Sequence, residues 1–272
     1  MAKITAAEVN KLRKQTGAGM MDCKKALVES EGDFEAAVDI LRKKGQKVAA
    51  KRADRDATEG AVIAKTNGAD KGAVIKLSCE TDFVAKNENF VALANKIADI
   101  ALASGVSTAE ELGAVEFEGG LTVAAKLQEQ TGVIGEKIEV AEMATVSAPY
   151  VASYIHMGNK IGTLVGLTAE AAEAGRDVAM QAAAMNPVAL NRDAVSQEVI
   201  DRELEVGKDL ARQEGKPEEM LEKIATGRLN KFFKENTLVD QDFIKDSKLS
   251  VSKYLTSVEA GLAVVDFKRV SL

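Results

Sequence analysis

Tryptophan is absent from the 272 residues, and aromatic residues together make up only 4%. Stacking platforms for unpaired bases are therefore not expected. The net charge of -6 removes the electrostatic basis for phosphate-backbone binding, which needs clustered positive charge. A single histidine, His156, excludes a His-rich metal centre and the usual histidine pair. Cys23 and Cys79 lie far apart in sequence, which suits reduced thiols better than a disulfide framework. No apolar run is long enough to cross a membrane, and Met1-Ala2-Lys3-Ile4 leads straight into a helix without a secretory pattern, so a cytoplasmic protein is expected. Neither a Gly-x-x-x-x-Gly-Lys-Ser/Thr loop nor a Gly-x-Gly-x-x-Gly fingerprint after a strand occurs. Carboxylates are scattered along charged helix faces. The expectation is a chain with no catalytic residues, no cofactor, no metal, and neither nucleic acid nor membrane as a direct partner.

With 46% hydrophobic residues, the chain is long enough to bury a sizeable core in two or three lobes. Ala61 to Thr66, a turn at Asn67-Gly68, and Gly72 to Ser78 read as an antiparallel hairpin. Downstream, Asn87 caps a helix whose apolar face is Phe90, Leu93, Ala94, Ile97, Ala98 and Ala101. Between them runs Ser78-Cys79-Glu80-Thr81-Asp82-Phe83-Val84, which places Phe83 at a strand-to-helix junction. Two readings are open: the ring packs back as a staple on its own helix, or it projects as a wedge for a partner's apolar crevice.

The N-terminal segment predicts three short helices. Thr5 and Glu8 form a capping box, with Ile4 and Val9 as the hydrophobic staple, and Gly17 stops the first helix. The second carries Cys23, Ala26 and Leu27. Asp33 caps the third, which carries Phe34, Ala37, Val38 and Leu41. Met20 and Met21, in the Gly-rich connection, read either as flexible core filler or as an adaptable contact surface. Lys47 to Arg55 is a basic helical tail and linker.

The rest is a diverged repeat. Tyr150 to Ile155, a turn through Met157 to Lys160, and Gly162 to Leu167 repeat the first hairpin at an offset of roughly 90 residues. Leu121-Thr122-Val123 with Leu127 returns as Leu249-Ser250-Val251 with Leu255 at an offset of roughly 128. Closing strands are expected at Ile138 to Met143 and at Leu262 to Phe267. The second hairpin exits into Leu167-Thr168-Ala169-Glu170-Ala171, with no aromatic where the first has Phe83, which favours the wedge. The change of offset marks an insertion of roughly 38 residues, about 191 to 228, read as two antiparallel helices around a turn at Gly215-Lys216-Pro217. Met220, Leu221, Ile224, Ala225 and Leu229 are expected to face back on the first of these helices.

Leu12-Arg13-Lys14-Gln15-Thr16-Gly17-Ala18-Gly19-Met20-Met21-Asp22-Cys23-Lys24-Lys25-Ala26-Leu27 and Cys79-Glu80-Thr81-Asp82-Phe83-Val84-Ala85 resemble the two signature segments of the bacterial elongation factor Ts family. The resemblance implies an α+β fold. Its parts would be a ubiquitin-associated (UBA)-like bundle (1–45), a linker (46–56), a core subdomain (57–146), a related one (147–190 and 229–272) and a coiled-coil insertion (191–228). It implies elongation factor Tu, a GTPase, as partner and guanine-nucleotide exchange during translation as activity. On that pattern Thr81, Asp82, Phe83 and Val84 would disturb the magnesium site of Tu. Met20, Met21 and His156 would anchor the complex, and the insertion would be a candidate homodimer contact. The chain would lack a further C-terminal module that some relatives carry. A helical adaptor without exchange activity, or a ribosome- or RNA-associated factor using the Lys47 to Arg55 tail, are the competing readings.

Overall fold

The computed structural model describes residues 4–272. Met1 to Lys3, and with them the start of the expected entry into the first helix, lie outside the described residues. Helix α1 (Ala6–Thr16) begins at the expected capping box: the Thr5 hydroxyl accepts the Glu8 N–H at 3.3 Å and the Glu8 carboxylate accepts the Thr5 N–H at 2.7 Å. It ends at Gly17, whose φ of 72° closes the last turn onto the Arg13 carbonyl. Helices α2 (Met20–Glu29) and α3 (Phe34–Lys51) complete the group, α3 starting where the Asp33 carboxylate accepts the Ala36 N–H at 3.0 Å. Val9, Leu12, Cys23, Ala26, Leu27 and Ala37 form its buried centre.

The expected boundary at residue 45 falls inside α3, which continues to Lys51. Gln46 to Lys51 contains no helix breaker, and Gly45 is buried against a later helix, so α3 continues through that point.

Strands β1 (Glu59–Thr66) and β2 (Lys71–Cys79) form the first hairpin. They are followed by a single turn of helix, α4 (Asp82–Ala85), and by α5 (Glu88–Ser104) and α6 (Ala109–Ala114). A small ribbon, β3 (Glu116–Glu118) with β4 (Leu121–Thr122), leads into α7 (Val123–Ile134) and then β5 (Glu139–Ser147). The sheet order is β1-β2-β5, all antiparallel, and α5 lays Phe90, Ala94, Ile97, Ala98 and Ala101 into its core.

The same plan recurs. Strands β6 (Tyr150–Ile155) and β7 (Ile161–Leu167) are followed by α8 (Ala172–Met185), then a long pair of helices, α9 (Gln197–Gln213) and α10 (Glu218–Asn236). A ribbon of β8 (Asp242–Phe243) and β9 (Asp246–Ser250), helix α11 (Val251–Val258) and β10 (Val264–Ser271) follow, with sheet order β10-β7-β6. Thr122 caps α7 and Ser250 caps α11 through the same side-chain hydrogen bond, as the repeated sequence predicts. The two sheets meet through Val62, Ala64, Val74 and Val146 on one side and Val151, Leu164 and Val270 on the other. Gly72 and Gly162 permit the approach: a Cβ there would stand 2.8 Å from Leu164 and from Val62, respectively.

The α9–α10 pair differs in detail from its sequence pattern. Its seam is built largely of small residues, with Gly207 and Ala211 buried beside Ala225 and Leu221, and a Cβ on Gly207 would lie 3.1 Å from the Ala225 Cα. Where Gly207 meets Ala225 there is no room for a larger side chain, while Leu221 fills the seam further along. Leu221 and Ala225 take the inward positions, so Met220, expected to face inward, is exposed, as are Val206 and Leu210. Helix α10 also runs to Asn236, past the expected end of the insertion at 228.

Candidate functional site

Strand β2 ends on Cys79 and the chain turns through Glu80 and Thr81 into the one-turn helix α4. Thr81 is its N-cap, the hydroxyl accepting the Val84 N–H at 3.4 Å. Consecutive side chains then part company. Val84 packs inward on the core under α5, while Phe83 is 83% exposed. The staple reading of Phe83 is thereby excluded. Asp82 is half-buried and its carboxylate meets Lys86 Nζ at 2.6 Å, which holds its pKa below the ordinary carboxylate value.

Two carboxylates brace this turn. Glu136, in the link between α7 and β5, accepts the Glu80 and Thr81 N–H groups on Oε2 at 3.1 and 3.0 Å, and the Thr81 hydroxyl on Oε1 at 2.6 Å. Glu80 accepts the Lys137 N–H at 2.6 Å and the Arg52 guanidinium at 2.8 and 2.9 Å. The Lys137 N–H and then Arg52 hold the Glu80 carboxyl below its usual range. Arg52 directly follows α3, so the N-terminal helices are pinned to the same turn. Sequence reading missed Glu136, Arg52 and α4 itself.

Beneath the turn, Cys79 is fully buried and its thiol donates to the Thr81 carbonyl at 3.3 Å. Burial first, then the Glu136 charge, pushes its pKa up to about 12, so the reactive thiolate is scarce anywhere near neutrality. Cys23 is also free and buried. We expect Ellman's reagent at pH 8 to titrate neither thiol rapidly in the native protein and both in denaturant; one fast equivalent in native buffer would contradict this burial.

His156 lies in the turn between β6 and β7. It is exposed, with Nδ1 at 3.1 Å from the Tyr154 hydroxyl. Asn159 of that turn accepts the Val62 N–H at 2.7 Å on its carbonyl. Val62 lies three residues along β1 from Glu59, which pairs with Cys79, a rise of roughly 10 Å. The turns that carry Phe83 and His156 therefore share one end of the paired sheets. Met157, 88% exposed on the same turn, was not singled out from sequence; an apolar residue in a His-Met-Gly-Asn-Lys turn was the available signal. Met20 and Met21 stand on the first turn of α2, 54% and 62% exposed, while Cys23 and Ala26 take the inward positions. The filler reading of the two methionines does not hold. Among the described residues no group of three or more His, Cys, Asp and Glu is gathered to hold a metal ion, and no helix is long and apolar enough to cross a membrane.

Fold and site together define an α+β protein that displays apolar side chains on braced, projecting turns. A family profile described as Elongation factor TS matches residues 80–272. Proteins named Elongation factor Ts from Christiangramia forsetii and Flavobacterium psychrophilum are 61% and 58% identical to the chain, over the whole of both partners. One from Porphyromonas gingivalis is 48% identical over 99% of this chain and 98% of its own. The chain belongs to the elongation factor Ts family.

Proposed function

We propose that this chain is the guanine-nucleotide exchange factor of elongation factor Tu, acting in the cytoplasm by binding the GDP form and loosening its magnesium and phosphate site. The observation that carries the reading is Phe83, a ring 83% exposed on a turn whose start is braced by Glu136 and, through Glu80, by Arg52. Phe83 enters an apolar crevice of the GTPase with Asp82 beside it, and Thr81 fixes the direction of approach. Val84, which packs inward on the core, serves this site as a support for the turn. Met20, Met21 and His156 are the anchors, on a UBA-like bundle and on the second of two related core subdomains. The α9–α10 pair is the coiled-coil insertion, and its exposed Val206, Leu210 and Met220 are where a homodimer contact would form.

Linkage sets the mechanism. A factor that binds nucleotide-free Tu more tightly than Tu·GDP must weaken GDP binding by the same ratio. A thousandfold acceleration of release asks for about 4 kcal/mol. Burying one Phe supplies about 1.5–3 kcal/mol, so Phe83 does not suffice and Asp82, acting beside it on the magnesium and phosphate site, must supply the rest, while the anchors hold the complex together. No chemical bond is made or broken by this chain in such a cycle.

The test is stopped-flow release of a fluorescent GDP from Tu over a range of factor concentrations. The chain is expected to accelerate release. The double variant Met20→Ala with Met21→Ala is expected to raise the half-saturating concentration roughly tenfold, about 1.4 kcal/mol, with the plateau rate nearly kept. A fall in the plateau alone would move the methionines from anchoring to the release step, and no acceleration by the unaltered chain would remove the reading.

A further inference from the structure

We infer that Glu136 is a positioning residue for nucleotide exchange: its carboxylate, 55 residues away from Thr81 in sequence, sets the direction in which the Phe83 ring is presented. The inference rests on the exchange reading above. Helix α4 has four residues, too few for cooperative helix formation to fix its orientation unaided. Its start must be held from outside, and Glu136 does so with three hydrogen bonds to two consecutive residues. Because the acceptor is a carboxylate, these are of the stronger, charge-assisted kind. The Thr81 hydroxyl donates to Glu136 and accepts from the Val84 N–H, so the contact passes directly into the first turn of α4. With Val84 then locked inward, the ring one position earlier is left facing solvent. Glu136 itself follows Gly135, whose φ of 84° ends α7 and turns the chain toward β5. It thus projects from the link between two well-packed elements. Glu80 braces the same turn separately, through Arg52 and the Lys137 N–H.

Glu136→Ala removes every acceptor. Glu136→Gln keeps one oxygen for the two N–H groups and offers its amide to the Thr81 hydroxyl, which can accept. Two measurements separate orientation from mere support. In the free protein, hydrogen exchange at the Glu80 and Thr81 amides is expected to quicken about tenfold in Glu136→Ala and to stay near the parent in Glu136→Gln. In the Tu assay, Glu136→Ala is expected to lower the plateau release rate about tenfold with the half-saturating concentration held within about threefold, and Glu136→Gln to restore most of the rate. Should Glu136→Ala fail to fold, Thr81→Ser, which keeps the hydroxyl, is expected to retain the parent plateau, and Thr81→Val, which removes both the donor to Glu136 and the cap on the Val84 N–H, to show the same split. Quickened amide exchange with an unchanged plateau, while Phe83→Ala is slow, overturns the inference and leaves the exchange reading standing. So does a higher half-saturating concentration at an unchanged plateau. If Phe83→Ala is itself as fast as the parent, the wedge role of Phe83 falls and this inference falls with it, and if the parent does not accelerate release at all, the exchange reading falls.

Discussion

Phe83→Ala is expected to slow GDP release from Tu, at saturating factor, by roughly 10- to 100-fold while leaving the free factor's thermal midpoint unmoved within about 2 °C. Both halves follow from the same observation. A ring 83% exposed contributes little to its own fold, since surface substitutions away from special features stay within about 0.5 kcal/mol. Buried in a partner, the same ring is worth about 1.5–3 kcal/mol, which is the range of the expected rate loss. Phe90 is the natural comparison. It lies seven positions on, is 1% exposed, and its replacement by Ala is expected to cost about 3–5 kcal/mol of stability. Asp82→Ala should resemble Phe83→Ala in sparing stability, because the i,i+4 pair it loses with Lys86 lies at the surface, where solvent screens it. If both variants released GDP as fast as the parent, the wedge would be refuted whatever their stability. A stability loss in Phe83→Ala like that of Phe90→Ala would mean that the ring is not free in solution.

What the sequence made legible is local or periodic. Thr5 with Glu8, Asp33 and Asn87 mark helix starts because a cap and the turn that it serves are only a few residues apart. The repeat was legible because Thr122-Val123 and Ser250-Val251 perform the same task in two places, and the missing aromatic after β7 then singled out Phe83. Glu136 was not legible, since a carboxylate that binds backbone N–H groups far along the chain has no partner side chain to give it away. Helix α4 was too short for a 3.6-residue period to register. The outward turn of Met220 was missed because apolar spacing over 220 to 229 outlines a broad stripe without fixing its centre; Leu221 and Ala225 take the buried positions and leave Met220 at the edge.

The other large effect is expected from Gly132→Ala, a change that local rules score the opposite way. Gly132 lies inside α7, where Ala would ordinarily gain about 1 kcal/mol over Gly. Yet a Cβ there would stand 2.5 Å from the Gly45 Cα on α3. The obstacle is backbone, so no rotamer change relieves it, and overpacking of this kind costs about 1–3 kcal/mol. The balance is unfavourable and is relieved by lifting α3, with α1 and α2, away from α7. The short connection holding Arg52 and Arg55, already largely exposed but tied down by the Arg52–Glu80 pair, then loosens, and trypsin cleavage there should accelerate. Because Arg52 moves with α3, the Glu80 brace should slacken, while Glu136, which is reached from α7, keeps its hold on Thr81. The half-saturating concentration for Tu should therefore rise several-fold, about 1 kcal/mol, with the plateau rate largely kept. Gly227→Ala supplies the contrast. It lies on α10 with nothing within 4 Å of a new Cβ, and there the gain of about 1 kcal/mol should appear in full. If Gly132→Ala stabilised the protein as Gly227→Ala does, α3 and α7 would not be in backbone contact in solution. The anchors on α2 would then hang on the connection through Arg52 to Arg55 alone.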